Sequence, residues 1–540
     1  FYDGIMKTSG LRHILVNDDR TAIFAADAYA RITGSVGVCD AGSAGSMNFP
    51  VGIAEAKGSG TPVLVLVGTI KEKDMLRNIP HDIDVVNCFK PITKFSSGVH
   101  SPEQFPRILN YALRVATEGK PGPVALVIPE DILNAKDLQK KEFEVSSMGA
   151  CSIRGCKSTP SDTEIRGAVE MIKKAKSPAI FSGGEAVDAH AEFEIQALAK
   201  KLQAPIFSTI TGKGIEIEND ENLYFATIGL FGEKPNHSYL RKNVDLVIII
   251  GNRLTEDDTA NFKFPPSRID TVHIDLEPAE IGINFKSWSV VGDPKAAVQM
   301  ILKELKDYEP SETELKARQE NLQKLKEARE KYREKDKTEW MNAEPIKPQR
   351  VLYSLSQIMK PEDFLCTDAS SSSRWIGVYF PVKALGRKII TPRGVGPTGF
   401  GLGAVLGTGF AIEELFSGID KTKRPKIVLF TGDGGLMNSG LSDLETIVNL
   451  GIDCLIVIIN NQSLGYVKFG QAALFKKRYF ETDRPASPFV KISEAFGAMG
   501  VQITKLNELD STLKRLYEQP GLKIADILID HSELLPPNSY

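Results

Sequence analysis

Residues 426–467, "KIVLFTGDGGLMNSGLSDLETIVNLGIDCLIVIINNQSLGYV", set oxygen ligands and glycines at a spacing that suits a metal-held phosphate group. The segment reads strand, Gly-rich turn, helix, strand, polar turn. In a parallel sheet both turns emerge at the carboxyl rim, where such sheets bind their ligands. Asp433 offers a hard carboxylate, Asn461 an amide oxygen, and the turn after it a backbone carbonyl at Ser463. Three protein oxygens suit Mg2+ or Ca2+ when phosphate oxygens complete the shell. Gly434 and Gly435 let the backbone come close to a diphosphate, and a helix N-terminus adds N–H donors and positive potential. GDG alone is compatible with a plain βα turn capped by its aspartate. GDGG after one strand and NN after the next is far more specific.

A second stretch, "VNDDRTAIFAADAYARITG" (16–34), puts Asn17, Asp18 and Asp19 directly before an alanine-rich helix. Helix capping accounts for such residues, because their side-chain oxygens accept from unpaired first-turn N–H groups. A carboxylate at a helix start can also do acid–base work if a ligand reaches it.

The elements that must position these groups alternate along the chain. Short β-branched runs alternate with helical patterns throughout 540 residues, which predicts an α/β protein with doubly wound parallel sheets, and the length suggests roughly three or four domains. In the first stretch "LRHILVN" (11–17), "VGVCD" (36–40), "PVLVLVG" (62–68) and "PVALVIP" (123–129) read as strands. "PEQFPRILNYALRVATEG" reads as a helix closed by glycine, and 146–161 as a turn-rich linker. In the second stretch "PAIFSGG" (178–184), "PIFSTI" (205–210), "VDLVIIIG" (244–251) and "DTVHIDL" (270–276) are strands. The highly charged run 311–337 predicts a solvated connecting helix. The third stretch carries strands at 363–368, 426–432, 454–460 and 523–530.

A formal net charge of -3 provides no field for nucleic acid or an acidic membrane, and no apolar run approaches the roughly 20 residues of a membrane span. Six scattered cysteines, with Cys151 and Cys156 too far apart for a CxxC pair, read as free thiols of a reducing compartment, so a cytoplasmic location is expected. The chain opens at Phe1 without an initiator Met or a basic n-region. The expectation is that some N-terminal sequence is missing, which leaves room for a targeting segment.

The 426–467 segment resembles the diphosphate-and-metal motif of thiamine diphosphate enzymes, and the resemblance extends over nearly the whole chain. Its closest flavour is acetolactate synthase, carried by "EGKPGPVALVIPEDI" (118–132), "VHIDLEPAEIGIN" (272–284) and "GVGPTGFGLGAVLG" (394–407). The order implied is a pyrimidine-binding domain (1–145), a central domain (162–305), a charged helical linker (306–345) and a diphosphate-binding domain (346–540).

The resemblance implies thiamine diphosphate with Mg2+ on Asp433, Asn461 and Ser463, and cofactor contacts from Gly434, Gly435, Leu464, Gly465 and Tyr466. It implies further contacts from Ala44, Asn48, Ala369, Ser370, Ser371, Gly396 and Thr398. In the family a glutamate begins the helix ending in "YAR" and hydrogen-bonds N1′ of the cofactor's aminopyrimidine. Counting back from Tyr29 puts Asp19 there, one methylene shorter, with Asn17 and Asp18 left as caps. The family's substrate-facing glutamine aligns with His81, a chemically attractive acid or base near neutral pH. Other departures are "SSSS" (370–373) for "GQHQ", Thr398 for a large apolar wedge, Gly470 for a tryptophan, and one extra residue around "NSG".

"GFGLGAVLG" (399–407) approaches a dinucleotide fingerprint but lacks its spacing and follows a turn, so it reads as helix-start packing. "FSGG" (181–184), "TGKG" (211–214) and "GNRLTEDD" (251–258), with Arg253, resemble the region where relatives hold FAD, ADP or nothing. The activity implied is C–C cleavage and formation on a 2-keto acid or related carbonyl substrate, an acetolactate synthase-like carboligation. Simple decarboxylase or 2-hydroxyacyl-CoA lyase chemistry is the first alternative, and an idle scaffold or regulatory homologue the second. The family arrangement also implies a homodimer or tetramer with the active site at the subunit interface.

Overall fold

Apolar runs of strand length become the buried strands of three parallel sheets in the computed structural model, which describes residues 1–135, 158–219 and 223–536. The linker read at 146–161 lies, up to residue 157, outside the described residues, as do Cys151 and Cys156. The first sheet contains β1 (Gly37–Gly42), β2 (Val63–Thr69), β3 (Phe95–Gly98) and β4 (Val124–Pro129), in the order β1-β2-β4-β3. The second contains β5 (Pro178–Ser182), β6 (Ile206–Ser208), β7 (Tyr224–Thr227), β8 (Leu246–Ile250), β9 (Asp270–Asp275) and β10 (Trp288–Val291). Its order is β10-β9-β8-β5-β6-β7.

The third sheet carries the metal-and-phosphate motif. It contains β11 (Phe364–Thr367), β12 (Ile389–Ile390), β13 (Ile427–Gly432), β14 (Cys454–Asn460), β15 (Met499–Ile503) and β16 (Leu522–Leu528). The order β12-β11-β13-β14-β16-β15 reverses direction between β11 and β13. The crevice beyond the carboxyl ends of those two strands is therefore the topological switch point, where open α/β sheets bind ligands. β14 is buried along its whole length, as a central parallel strand covered on both faces must be.

The first and third sheets share one hydrophobic cluster. Helix Asp19–Thr33 and helix Gly401–Leu415 form its seam, and small residues on both sides let them approach. A Cβ at Gly403 would stand 2.4 Å from the Phe24 Cβ, and one at Gly407 would stand 2.1 Å from the Ala25 carbonyl oxygen. Only glycine fits at these two contacts.

Two sequence expectations are corrected. Residues 11–16 form no strand and have no ladder partner. The charged helix spans Glu312–Trp340 and is not solvated all round, since Arg318, Leu322, Leu325, Arg329 and Trp340 are buried. Arg318 donates to the carbonyls of Ala175, Lys176 and Leu202, tying the helix to the central sheet. Among the described residues Cys39, Cys88, Cys366 and Cys454 are free thiols, and no helix is long and apolar enough to cross a membrane.

Candidate active site

At the carboxyl ends of β11, β13 and β14 lies a cavity of about 320 Å³. The β13 end contributes Asp433, Gly434 and Gly435, and the β14 end contributes Asn461, Ser463, Leu464, Gly465 and Tyr466. Ala369, Ser370 and Ser371 enter from β11, and Gly396 and Thr398 from the loop after β12. Thirteen residues singled out from sequence thus share one concave surface.

Strand ends and helix starts explain the placement. Gly432 caps helix Asp433–Met437, so Asp433 stands in its first turn. Ser370, at φ 73°, precedes helix Ser371–Tyr379, a left-handed conformation rare for a side-chain-bearing residue. The Asn461 side-chain oxygen accepts from the Ser463 N–H at 3.1 Å, closing the turn while leaving a second lone pair.

The electrostatics are those of a desolvated anion site. Asp433 is buried, and desolvation pushes its carboxyl up to about 6 against the pull of Arg484, whose Nε lies 3.9 Å from Oδ2. The Ser463 and Thr482 hydroxyls and Arg484 Nε are buried without a hydrogen-bond partner. A Cβ at Gly435 would stand 2.6 Å from Thr431 Oγ1 and 2.9 Å from Asp368 Oδ2, and one at Gly465 2.9 Å from Asn461 Nδ2. These glycines are required by close packing against the site's own polar side chains and add no side chain to the cavity wall. Orphaned donors beside a bare cradle fit a diphosphate, and a carboxylate with amide and carbonyl oxygens fits a hard cation. Among the described residues no three His, Cys, Asp or Glu side chains converge on a metal, so phosphate oxygens would have to complete any such shell.

Asp19, His81, Ala44 and Asn48 do not line this cavity. They gather instead at the carboxyl end of the first sheet. Asn48 Nδ2 donates to Asp19 Oδ2 at 2.9 Å, and Gly45, next to Ala44, approaches the same carboxylate so closely that a Cβ there would stand 2.8 Å from Oδ1. The Ser43 hydroxyl donates to the His81 carbonyl at 2.7 Å, and the His81 side chain is exposed. Asp18 caps the helix by accepting from the Arg20 N–H. Asn17 does not cap: its amide donates to the Ser442 carbonyl and to Glu445.

Several supporting residues escaped sequence reasoning. Buried Asp368, whose carboxyl desolvation pushes up to about 6, accepts the N–H groups of Ala369 and Gly399 and so fixes two cavity loops. Buried Glu55 accepts the N–H groups of Gly394, Val395 and Gly396 at 2.8, 2.8 and 3.0 Å. Burial would raise its carboxyl, but Arg31 and the backbone amides outweigh that and hold it below the usual range. At the opposite wall Arg374 contacts Asp257 at 3.1 Å, donates to the Tyr466 hydroxyl at 3.1 Å and stacks 4.6 Å over its ring. Arg393 pairs with the same Asp257. Asp368 and Arg374 flank the serine run closely and so had a local signal, whereas Glu55, Asp257 and Arg393 come from other domains or distant loops.

A second cavity opens between the three sheets. Gly184, Thr211, Gly251, Asn252, Arg253 and Asp258 line it, bringing together the glycine turns of the central domain. Both carboxylate oxygens of Glu185 are buried there without a hydrogen bond, although Lys120 Nζ lies 3.3 Å away.

This architecture and the phosphate cradle at a switch point coincide with three family descriptions, all of thiamine pyrophosphate enzymes. The N-terminal TPP binding domain matches residues 1–88, the central domain 165–301 and the C-terminal TPP binding domain 368–527. The chain is 30% identical to a probable acetolactate synthase large subunit of Methanocaldococcus jannaschii, over 99% of this chain and 88% of the relative. It is 29% identical to the acetolactate synthase isozyme 3 large subunit of Escherichia coli, over 99% of this chain and 91% of the relative. The chain belongs to the thiamine pyrophosphate enzyme family and is an enzyme of the acetolactate synthase type.

Proposed function

We propose that the chain is a thiamine diphosphate- and Mg2+-dependent carboligase acting on a 2-keto acid. The observation that carries this reading is the meeting of Asp433, Asn461 and Ser463 with the bare backbone of Gly434 and Gly435 in one desolvated cavity. In this reading Asp433, Asn461 Oδ1 and the Ser463 carbonyl hold the cation, while Ser370, Ser371 and first-turn amides receive the phosphates. Ala369, Gly396, Thr398, Leu464, Gly465 and Tyr466 shape the walls. When bound, the thiazolium of the cofactor supplies a carbon that adds to the substrate carbonyl and takes up the electron pair of the broken C–C bond.

Asp19, oriented by the amide of Asn48, would hold a proton for N1′ of the aminopyrimidine, and Ala44 and His81 would contribute to the cofactor and substrate side of the same site. Because Asp19, Ala44 and Asn48 do not line the cavity of their own chain, a second copy supplies them, and the assembly is a homodimer or a pair of dimers. Exposed Leu464, Tyr466 and Val467 at the cavity, followed along the chain by exposed Leu474 and Phe480, support such a covered face. The domain division 1–145, 162–305, 306–345 and 346–540 belongs to the same reading.

The orphaned Glu185 oxygens favour a second, independent ligand in the central cavity, a nucleotide such as FAD or ADP whose ribose hydroxyls would donate to them. Mass spectrometry of small molecules released from the purified protein tests that assignment. For the main reading, calorimetric titration with thiamine diphosphate and Mg2+ is expected to show binding that chelation abolishes, and no binding would overturn it. A panel of 2-keto acids with product analysis separates carboligation from simple decarboxylation or acyl-CoA lyase chemistry.

A further inference from the structure

Segment Thr482–Arg484 is zipped onto the turn that carries Asn461 and Ser463. Ser463 and Asp483 form an antiparallel bridge, the Leu464 N–H donates to the Thr482 carbonyl at 2.7 Å, and the Arg484 N–H donates to the Gln462 carbonyl at 2.8 Å. Lys468, on the helix that follows the turn, pairs with Asp483 at 2.5 Å. The backbone of Arg484 is thereby fixed beside the turn, and its side chain reaches back across the cradle. Nε stands 3.9 Å from Asp433 Oδ2, and Nη1 lies 3.5 Å from where a Cβ on Gly434 would be.

Two features set this arginine apart from an ordinary ion pair. At 3.9 Å the contact is an attraction without a hydrogen bond, so Asp433 keeps its lone pairs for another partner. Arg484 Nε is buried and donates to nothing, so an acceptor is missing from its surroundings. A guanidinium over glycine backbone, with its planar fork of donors, suits a phosphate oxygen. The same cation repels a divalent ion placed on Asp433 unless a polyanion arrives with it.

We propose that Arg484 is a further cofactor-binding residue: it serves as counter-cation to Asp433 in the free protein and engages the diphosphate when a metal takes Asp433. Metal and diphosphate then bind as a linked pair, each weak without the other, because the arginine opposes the bare metal and completes the metal–phosphate cluster. The inference rests on the Mg2+-diphosphate reading above.

Calorimetry on the full-length protein tests it with three probes: Mg2+ alone, inorganic pyrophosphate with Mg2+, and thiamine diphosphate with Mg2+. Arg484→Gln is expected to bind Mg2+ alone about 3- to 10-fold more tightly and pyrophosphate or thiamine diphosphate about 10- to 100-fold more weakly. Arg484→Lys, which keeps the charge but not the fork, is expected to fall between them. The wild type is expected to discriminate between thiamine diphosphate and thiamine monophosphate, and that discrimination is expected to shrink in both variants. If the wild type binds cofactor with Mg2+ and both variants bind every probe equally well, the role of Arg484 is overturned while the cofactor reading stands. If the wild type binds none of the probes, the cofactor reading itself falls.

Discussion

The buried carboxylate of Asp443 holds the backbone N–H of Asn17 at 2.8 Å, joining the loop after the Gly-rich turn to the start of the Asp19 helix. It also accepts the Asp18 N–H at 3.0 Å and the Thr446 hydroxyl at 2.8 Å. In the turn ahead of it, Asn438–Gly440, Gly440 at φ 68° comes so close that a Cβ would stand 2.8 Å from Asp18 Oδ2. Asp443→Asn places an NH2 group against these N–H donors. A loss of about 1–3 kcal/mol is expected from the unmatched polar contact. Denaturant titration checks the stability, and NMR of bound cofactor is expected to show slower exchange of its C2 proton.

Asn48 Nδ2 donates to one oxygen of Asp19, and in the proposed function this carboxyl holds the proton facing the cofactor. Asp19→Ala is expected to slow C2-proton exchange about 100-fold or more while leaving cofactor affinity within a few-fold, because the phosphate end carries the binding. Exchange at the wild-type rate would leave Asp19 as part of the helix start only.

Glu55 is a clamp on the loop that brings Gly396 and Thr398 to the cavity. Glu55→Gln faces Arg31 and three backbone N–H groups with half the acceptor capacity and no charge. Breaking such a buried network costs about 3–5 kcal/mol. Thermal unfolding of the ligand-free protein is expected to shift down accordingly, with weaker cofactor binding at the temperatures where the variant is folded.

His273, fully buried with Nε2 2.8 Å from the Asn252 carbonyl, has its imidazole pulled down to about 4 by burial. Its unfolded-state value is near 6.5, so the unfolded chain binds the extra proton between these values. Stability from this group is present above pH 6.5 and is lost as pH falls toward 4, by up to a few kcal/mol. A melting series is expected to show a shallower acid-side decline for His273→Gln than for the wild type.

The strands that sequence patterning found and missed divide largely by position, the edge strand β1 being the exception that was read. β2, β4, β5, β6, β8, β9, β11, β13, β14 and β16 lie inside their sheets and read as apolar runs. β3, β7, β10, β12 and β15 went unread, and every one of them is an edge strand. Edge strands pair on one side only and are short or half-exposed, as the two-residue β12 and the exposed start of β10 show, so they need no sustained apolar run. The misread run 11–16 had apolar residues but found no sheet edge to pair with.

The sequence by itself determined the local parts of the site: glycines at strand ends, the Asp433 and Asn461 turns, the serine run and the capping Asp18. Each depends on residues adjacent in the chain, where backbone geometry and side-chain type suffice. The fold alone decided what crosses the chain: Glu55 under the 394–396 loop, Asp443 against Asn17, Arg374 on Asp257, and Arg484 over Asp433. Charged side chains of these kinds stand on most protein surfaces, and nothing in their neighbours marks the partner. They acquire a role only when parallel sheets converge and remove the water between them, because a carboxylate or guanidinium taken out of solvent must find its partner wherever the fold has placed one.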